Sequence, residues 1–331
     1  VSLSHPPDAP RRYAVFDLGS NSIKFIVAET AGQRLRVLRE RSISTRLAEH
    51  LIDTAELRPE AIARTLEALR ELRAEAAELG AEHFRAVATS AVRDSRNRRE
   101  FLRAAREVLG FPVRLLSGTE EAETIFSGVH ADPHWRGRDL FILDIGGGSA
   151  EWVQGARDRL DKRISLPLGA VRLRERFLHA YPVAADTADL LVETLRGQIT
   201  APLRDFTLGD RRLVGTGGTV TCLAAIFKKL PDFDPRKIDH SVLTLEQIRA
   251  LMRGFTGRTL AQLRGVPGLP PKRVDLIIPG AAVVVATMEH LGASRLHVSV
   301  RGLRYGVLDG LVREQEPTFF RRARATGAGK D

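Results

Sequence analysis

Two six-residue segments carry the same chemistry at the same spacing: Asp17-Leu-Gly-Ser-Asn-Ser22 and Asp144-Ile-Gly-Gly-Gly-Ser149, 127 residues apart. In each, glycine lets backbone N–H groups approach an anion with no Cβ in the way. Successive amides then form a concave nest for phosphate oxygens, and the serine hydroxyl adds a donor. The leading aspartate supplies the opposite chemistry, because a carboxylate beside phosphate oxygens suits Mg²⁺. A third glycine-rich turn, Gly215-Thr-Gly-Gly-Thr219, offers a similar cradle. Such turns are also ordinary hairpin connectors. It is the repeated pair, together with the third turn, that points to a clamp on a chain of phosphates. No G-x-x-x-x-G-K-[ST] loop occurs, and Val220 stands where a dinucleotide fingerprint needs glycine.

A general base is the next requirement. Glu120 and Glu121 begin a helical run, where acids favour the helix dipole. Neighbouring helical positions lie about 100° apart, so only one of the two faces a cleft easily. Ile125, Phe126 and Val129 put Glu121 on the inward side, where it can deprotonate a water for attack on phosphorus. Arg93, which follows a strand end, and Arg46 are each open to two readings, a phosphate grip or a surface charge. His130 and His134 are separated by Pro133 and do not share a helix face. No His-Asp dipeptide and no Ser-His-Asp assembly is discernible.

The surrounding pattern alternates strands and helices, which predicts an α/β protein. Tyr13–Asp17, Ile23–Ala28 and Leu35–Ile43 read as strands. Ile62, Leu66, Leu69, Leu72, Ala76 and Leu79 recur at helical spacing between Pro59 and Gly80. Further on, Thr119 is the expected N-cap of the helix that carries Glu121. Residues 132–137 are loop-like, and the strand–turn–strand grammar restarts at Leu140–Asp144. The expected division is therefore residues 1–127, with the first phosphate loop and the base, and residues 128–331, with the second loop and the third turn. A helix over about 302–315 is expected to cross back to the first half, followed by a disordered basic tail from about 317.

Composition bounds the alternatives. The 331 residues suit two domains. One cysteine, Cys222, excludes a disulfide framework and multi-Cys metal sites, and packing inside a helix is its expected role. No apolar run approaches the roughly 18 residues of a membrane helix. Residues 1–13 lack a secretory signal's apolar core, so a cytoplasmic protein is expected. The formal charge is +10. Residues 1–127 hold 20 Lys/Arg against 19 Asp/Glu, whereas residues 128–331 hold 31 against 22. That excess suits a polyanion, although no motif for specific nucleic-acid binding accompanies it.

Read in order, these segments resemble the exopolyphosphatase and guanosine pentaphosphate phosphohydrolase (Ppx/GppA) family. The matching runs are Tyr13–Lys24, Ala88–Asp94, Leu116–Ala122, Asp144–Glu151, Val214–Thr219, Pro279–Ala281 and Arg301–Gly306. The resemblance implies two ribonuclease-H-like domains of the actin, sugar kinase and Hsp70 superfamily (the actin-like ATPase fold), with an interdomain cleft. It implies hydrolysis of a terminal phosphoanhydride, of inorganic polyphosphate or of pppGpp, with Mg²⁺ or alternatively Mn²⁺. Glu121 matches the catalytic base, while Asp144 and Glu151 match acids tied to catalysis and, with Asp17, to the metal. Gly19, Ser20, Asn21, Ser22, Arg93, Gly146, Gly147, Gly148, Ser149, Gly217, Gly218 and Thr219 match phosphate-binding positions. Tyr305 departs from the family's usual Glu, and Ala48-Glu49 replaces Gly-Glu. The chain resembles the short form without an HD-like helical domain; that domain is implicated in long-chain binding and homodimer contacts. An ATP-dependent kinase and a non-catalytic alarmone or polyphosphate sensor are the rival readings.

Overall fold

The computed structural model describes residues 10–31 and 34–317. The basic tail expected from about residue 317 thus lies almost wholly outside the described residues. In chain order the first part comprises β1 (Arg12–Leu18), β2 (Ser22–Ala31), β3 (Arg34–Ser44), α1 (Leu51–Thr54) and α2 (Pro59–Glu78). Then come β4 (His83–Ala88), α3 (Ser90–Asp94), α4 (Arg98–Leu109), β5 (Val113–Leu115) and α5 (Gly118–His130). The second part opens with β6 (Leu140–Ile145), β7 (Ala150–Ala156), β8 (Arg159–Leu166), α6 (Ala170–Phe177) and α7 (Ala185–Thr200). It continues through β9 (Arg212–Thr216), α8 (Gly217–Phe227), α9 (Pro235–Ile238), β10 (Val242–Thr244) and α10 (Leu245–Phe255). The last elements are α11 (Leu260–Arg264), α12 (Ile277–His290), β11 (Arg295–Val298) and α13 (Leu303–Gln315).

The strands form two mixed sheets of matching topology. One runs β3-β2-β1-β4-β5, the other β10-β11-β9-β6-β7-β8. In each, an antiparallel three-strand meander (β1–β3 or β6–β8) is extended by two parallel strands from its first member, and the second sheet adds β10 antiparallel to β11. Even the register irregularity repeats: it falls between Val27 and Ala28 in one meander and between Gln154 and Gly155 in the other. That is the 127-residue offset of the two phosphate-loop motifs, so the repeat read from a few turn residues extends through the strand pairing.

The central strands are apolar because both faces are covered. All of β6 is buried, as is β1 beyond Arg12. Covered strands read as continuous apolar runs rather than alternating ones. On the first sheet, α2 begins with Pro59 at its first turn, and Gly80 follows its end at φ +68°. Its buried stripe is Ala61, Thr65, Ala68, Leu69, Leu72 and Ala76; Ile62, Leu66 and Leu79 are only partly buried. The buried stripe is thus rotated from the sequence expectation toward the small residues Ala61, Thr65 and Ala68. On the second sheet, α12 is apolar on all sides and buried almost throughout, as a helix inside a layer must be.

Two helices, α5 and α13, join the halves. Helix α13 packs on β1 and β4 of the first sheet and on α5, and α5 in turn lies against β7 and β8. Their crossing is tight because Gly128 and Gly306 stand at it: a Cβ on Gly306 would overlap the Thr124 carbonyl, and one on Gly128 the Gly302 carbonyl. The N-cap of α5 is Ser117, not Thr119. Ser117 is extended at φ −68° and ψ 162°, its hydroxyl accepts from Glu120 N, and the Glu120 carboxylate accepts from Ser117 N. This reciprocal capping box places Thr119 inside the first turn. It also occupies Glu120, which pairs with Arg114 at 2.6 Å, and leaves Glu121 to face inward. No helix among the described residues is long and apolar enough to cross a membrane.

Candidate active site

The two glycine-rich turns close with the same bond. Gly19 N donates to Ser22 O at 3.2 Å, and Gly146 N donates to Ser149 O at 3.0 Å. Their tips then meet. A Cβ on Gly147 would lie 2.9 Å from Ser20 Cβ and 3.1 Å from Asn21 N. One on Gly148 would lie 2.5 Å from Ser90 Oγ and 2.7 Å from Ser20 Oγ. Glycine is required at these two positions because the first tip brings side chains where the second offers bare backbone. Ser20 Oγ and Ser90 Oγ share a hydrogen bond at 3.0 Å, which ties the start of α3 to the first tip.

The third turn approaches the same point. Gly217 sits at φ +85°, and a Cβ there would overlap Asp144 Oδ1. Ser, Thr or Ala would therefore be both strained and obstructed. Thr219 packs against Gly280, which accounts for the Pro279-Gly-Ala281 run: a side chain on Gly280 would overlap the Thr219 hydroxyl.

Between the tips lies a cavity of about 50 Å³. Asp17, Gly19, Ser20, Asn21, Ser22, Glu121, Asp144, Gly146, Gly147, Ser149, Glu151, Gly218 and Thr219 line it, so most of the residues singled out from sequence converge. Four do not face it. Gly148 is covered by Ser90, and Gly217 faces a neighbouring cavity. Arg93 donates through one nitrogen, Nη1, to Leu116 O at 2.9 Å and to Glu121 Oε2 at 3.1 Å. Arg46 is engaged elsewhere, in a 2.9 Å ion pair with Asp275. The sequence reading missed Lys24, Thr89, Ser90 and Arg273, which also line the cavity. For Lys24 a signal existed, since it occupies the repeat position of Glu151. Arg273, whose guanidinium lies against Gly218, sits in no repeated motif.

Acidic side chains gather at this cavity beside the cations Lys24 and Arg273. Asp17, Glu121, Asp144 and Glu151 are all buried, and burial pushes each carboxyl above its ordinary value. For Asp17, the Lys24 ammonium at 3.8 Å works against that rise. Glu121 is pushed up to about 7: burial raises it most, the Arg93 guanidinium lowers it, and the charges of Asp17 and Asp144 raise it again. Glu151 is raised well above the usual range by burial and by Glu121 and Asp144, against a 2.7 Å hydrogen bond from Ser165 Oγ. Asp144 Oδ1 is buried with no hydrogen-bond partner among the described residues, and so are both amide atoms of Asn21. Buried polar atoms left this way point to an absent partner. Four buried carboxyls outnumber the cations Lys24 and Arg273 on the lining of this small cavity, and an acid-rich donor set of this kind fits a hard divalent ion.

A second group with ligating atoms lies elsewhere. Asp132, Asp239 and His240 bring such atoms within 4.8 Å of one another. They already satisfy one another and the backbone. His240 Nε2 and Asp132 Oδ2 are 2.9 Å apart, Asp132 Oδ1 accepts from His134 N, and Asp239 Oδ1 accepts from Val300 N. This group ties the loop after α5 to the loop before α13. Its members are 107 positions apart in sequence, Asp132 to Asp239, so spacing gave no hint of it.

Beside the small cavity is a larger one of about 580 Å³. Phe233, Pro235, Pro270, Pro271 and Leu303 make its apolar wall, and Lys24, Lys272, Arg273 and Arg304 its basic one. Cys222 is buried in α8, as expected, and borders this space. Tyr305, the departure from the usual Glu, is near Glu40 of β3, whose carboxylate pairs with Arg304 at 2.9 Å.

Comparison with known proteins supplies the family and its relatives. The sequence model of the Ppx/GppA phosphatase family matches residues 25–315. Exopolyphosphatase 2 of Mycobacterium tuberculosis is 32% identical over 316 residues, spanning 91% of this chain and 97% of that protein. Among solved structures, the Aquifex aeolicus member of the Ppx/GppA family superposes with a TM-score of 0.79 at 28% identity, covering 93% of this chain and 99% of that one. An exopolyphosphatase from Cytophaga hutchinsonii gives a TM-score of 0.83 at 23% identity, covering 92% and 98%, a likeness of fold.

Proposed function

From the premise that this chain belongs to the Ppx/GppA phosphatase family and is a phosphoanhydride hydrolase, we propose that it removes the terminal phosphate of inorganic polyphosphate. The carrying observation is the convergence of two matched hairpin tips and one inward glutamate on a single small cavity. Within Gly19–Ser22 and Gly146–Ser149, the amides and hydroxyls that line the cavity and are not spent on closing the turns hold the phosphate chain from both sides. Glu121, with a carboxyl lifted by burial, takes a proton from the attacking water. Its ordinary value would make it a weak base; a titration near neutrality suits the task. No covalent intermediate is needed, since positioning and charge stabilisation supply the catalysis. Asp17, Asp144 and Glu151 would hold a divalent ion, Mg²⁺ or alternatively Mn²⁺, which would neutralise charge developing on the transferred phosphoryl group.

One observation favours a second substrate. The larger adjoining cavity has an apolar wall as well as cations; a linear polyphosphate uses only the cations, whereas the guanosine of pppGpp uses both. Phosphate release from polyphosphate, pppGpp and ATP, measured side by side with and without Mg²⁺, separates these readings and separates an enzyme from a sensor. The variant Glu121→Gln should lower turnover by roughly 10²–10⁴-fold with substrate affinity near normal. Wild-type turnover in that variant would remove Glu121 from the mechanism.

A further inference from the structure

Among the phosphate-site candidates Arg93, like Gly148, lines neither cavity between the halves. Its Nη1 makes two contacts, to the backbone carbonyl of Leu116 and to Glu121 Oε2. Its Nε lies 3.8 Å from Asp94 Oδ1, and Asp94 is held in turn by Arg172 at 2.5 Å. The guanidinium is thus engaged on protein acceptors. A glutamate on a helix has three rotatable side-chain bonds, and a carboxylate fixed by one charge-assisted hydrogen bond from an anchored donor loses that freedom. The Leu116 carbonyl, one residue before the Ser117 cap, is the anchor, so the donor is referenced to the start of the helix that carries Glu121.

The element bearing Arg93 adds to this. Helix α3 is only five residues long. Its first residue, Ser90, bonds Ser20 of the first tip and abuts Gly148 of the second. Its fourth, Arg93, grips the carboxylate. One short rigid segment therefore references the carboxylate to both tips, where the reacting phosphate is held.

We propose that Arg93 is a positioning residue: it acts on the reaction by holding the Glu121 carboxylate toward the cavity rather than by gripping substrate phosphate. This rests on Glu121 being the base, as proposed above. Displacement of a reacting group by about 1 Å can cost about 10²-fold. Loss of the tether in Arg93→Met should accordingly lower kcat by about 10²-fold, with KM within about twofold of wild type. Arg93→Lys, which keeps a cationic donor, should recover part of that loss.

The test is a double-mutant cycle on kcat and KM, using the full chain with polyphosphate as substrate. If Arg93 works through Glu121, adding Arg93→Met to Glu121→Gln should change kcat by less than about twofold. A rise in KM with kcat near wild type would overturn the proposal, because it marks a lost phosphate contact. Losses that multiply in the double variant would overturn it as well. Wild-type turnover in Glu121→Gln alone would sink the base assignment itself, so the two failures are distinguishable.

Discussion

The two glycine-rich hairpins, Asp17–Ser22 and Asp144–Ser149, share backbone and differ in charge. Both close with a glycine N–H to a serine carbonyl three residues on. In both, the leading aspartate faces a cross-strand partner seven residues later: Lys24 for Asp17, Glu151 for Asp144. The first hairpin carries its own counter-charge. The second places two buried acids side by side and leaves Asp144 Oδ1 with no partner among the described residues. Their tips are complementary in shape too, since Ser20 and Asn21 occupy the space that Gly147 and Gly148 leave open. The same backbone unit thus appears twice, once with an ammonium facing its aspartate and once with a second acid there. Burial is what makes the difference matter: an uncompensated acid pair on a solvated surface would cost little, whereas one in this cavity needs a cation or protons.

The largest way to break the contrast is to give the second hairpin the first one's charge. Glu151→Lys puts an ammonium where a divalent ion is expected. Metal-dependent phosphate release should then fall by roughly 10³-fold, equivalent to several kcal/mol of charge stabilisation. Retention of metal-dependent turnover would mean that the acid pair is not the cation site.

A smaller loss is expected from breaking shape instead of charge. In Gly147→Ala the new methyl meets Ser20 Cβ and the Asn21 backbone, so the tips must part. Overpacking of this kind costs about 1–3 kcal/mol in stability. Turnover should drop further than stability does, by about 10²-fold if the tips shift by about 1 Å. Calorimetry and phosphate release on the same preparation would compare the two effects.

The mildest effect is on stability against pH. The sign follows from the raised carboxyls of Asp17, Glu121, Asp144 and Glu151. The native protein holds protons that the unfolded chain gives up from about pH 4 upward. Stability from these groups is therefore lost as pH climbs, through the Glu121 titration at about 7. In chelator, Tm should fall between pH 5.5 and 8 more in wild type than in Glu151→Gln. Added Mg²⁺ should raise Tm more at pH 8 than at pH 5.5, where protons compete for the same oxygens. An equal Mg²⁺ effect at both values would argue against the carboxylates as its site.

Much of this site was legible in the chain because its parts are local. A turn of Asp, Gly and Ser needs only a few consecutive residues to specify it, and the 127-residue repeat marks two such turns as equivalent. The inward placement of Glu121 followed from helical spacing alone, since Ile125, Phe126 and Val129 fix the buried face. The helix cap was misplaced by two residues, because Ser117 and Thr119 are both competent caps and only the backbone decides which is extended.

Sequence by itself determined the two-part α/β architecture, the paired glycine-rich turns and the inward face on which Glu121 lies, since each is encoded by neighbouring residues or by a regular period. Tertiary structure alone decided who meets whom across the cleft. It set Lys24 and Arg273 at the cavity and Arg93 against Glu121. It also drew Asp132, Asp239 and His240 into one network. Those outcomes depend on how two sheets and two crossing helices close on each other, and contacts between residues far apart in the chain leave no periodic trace in it.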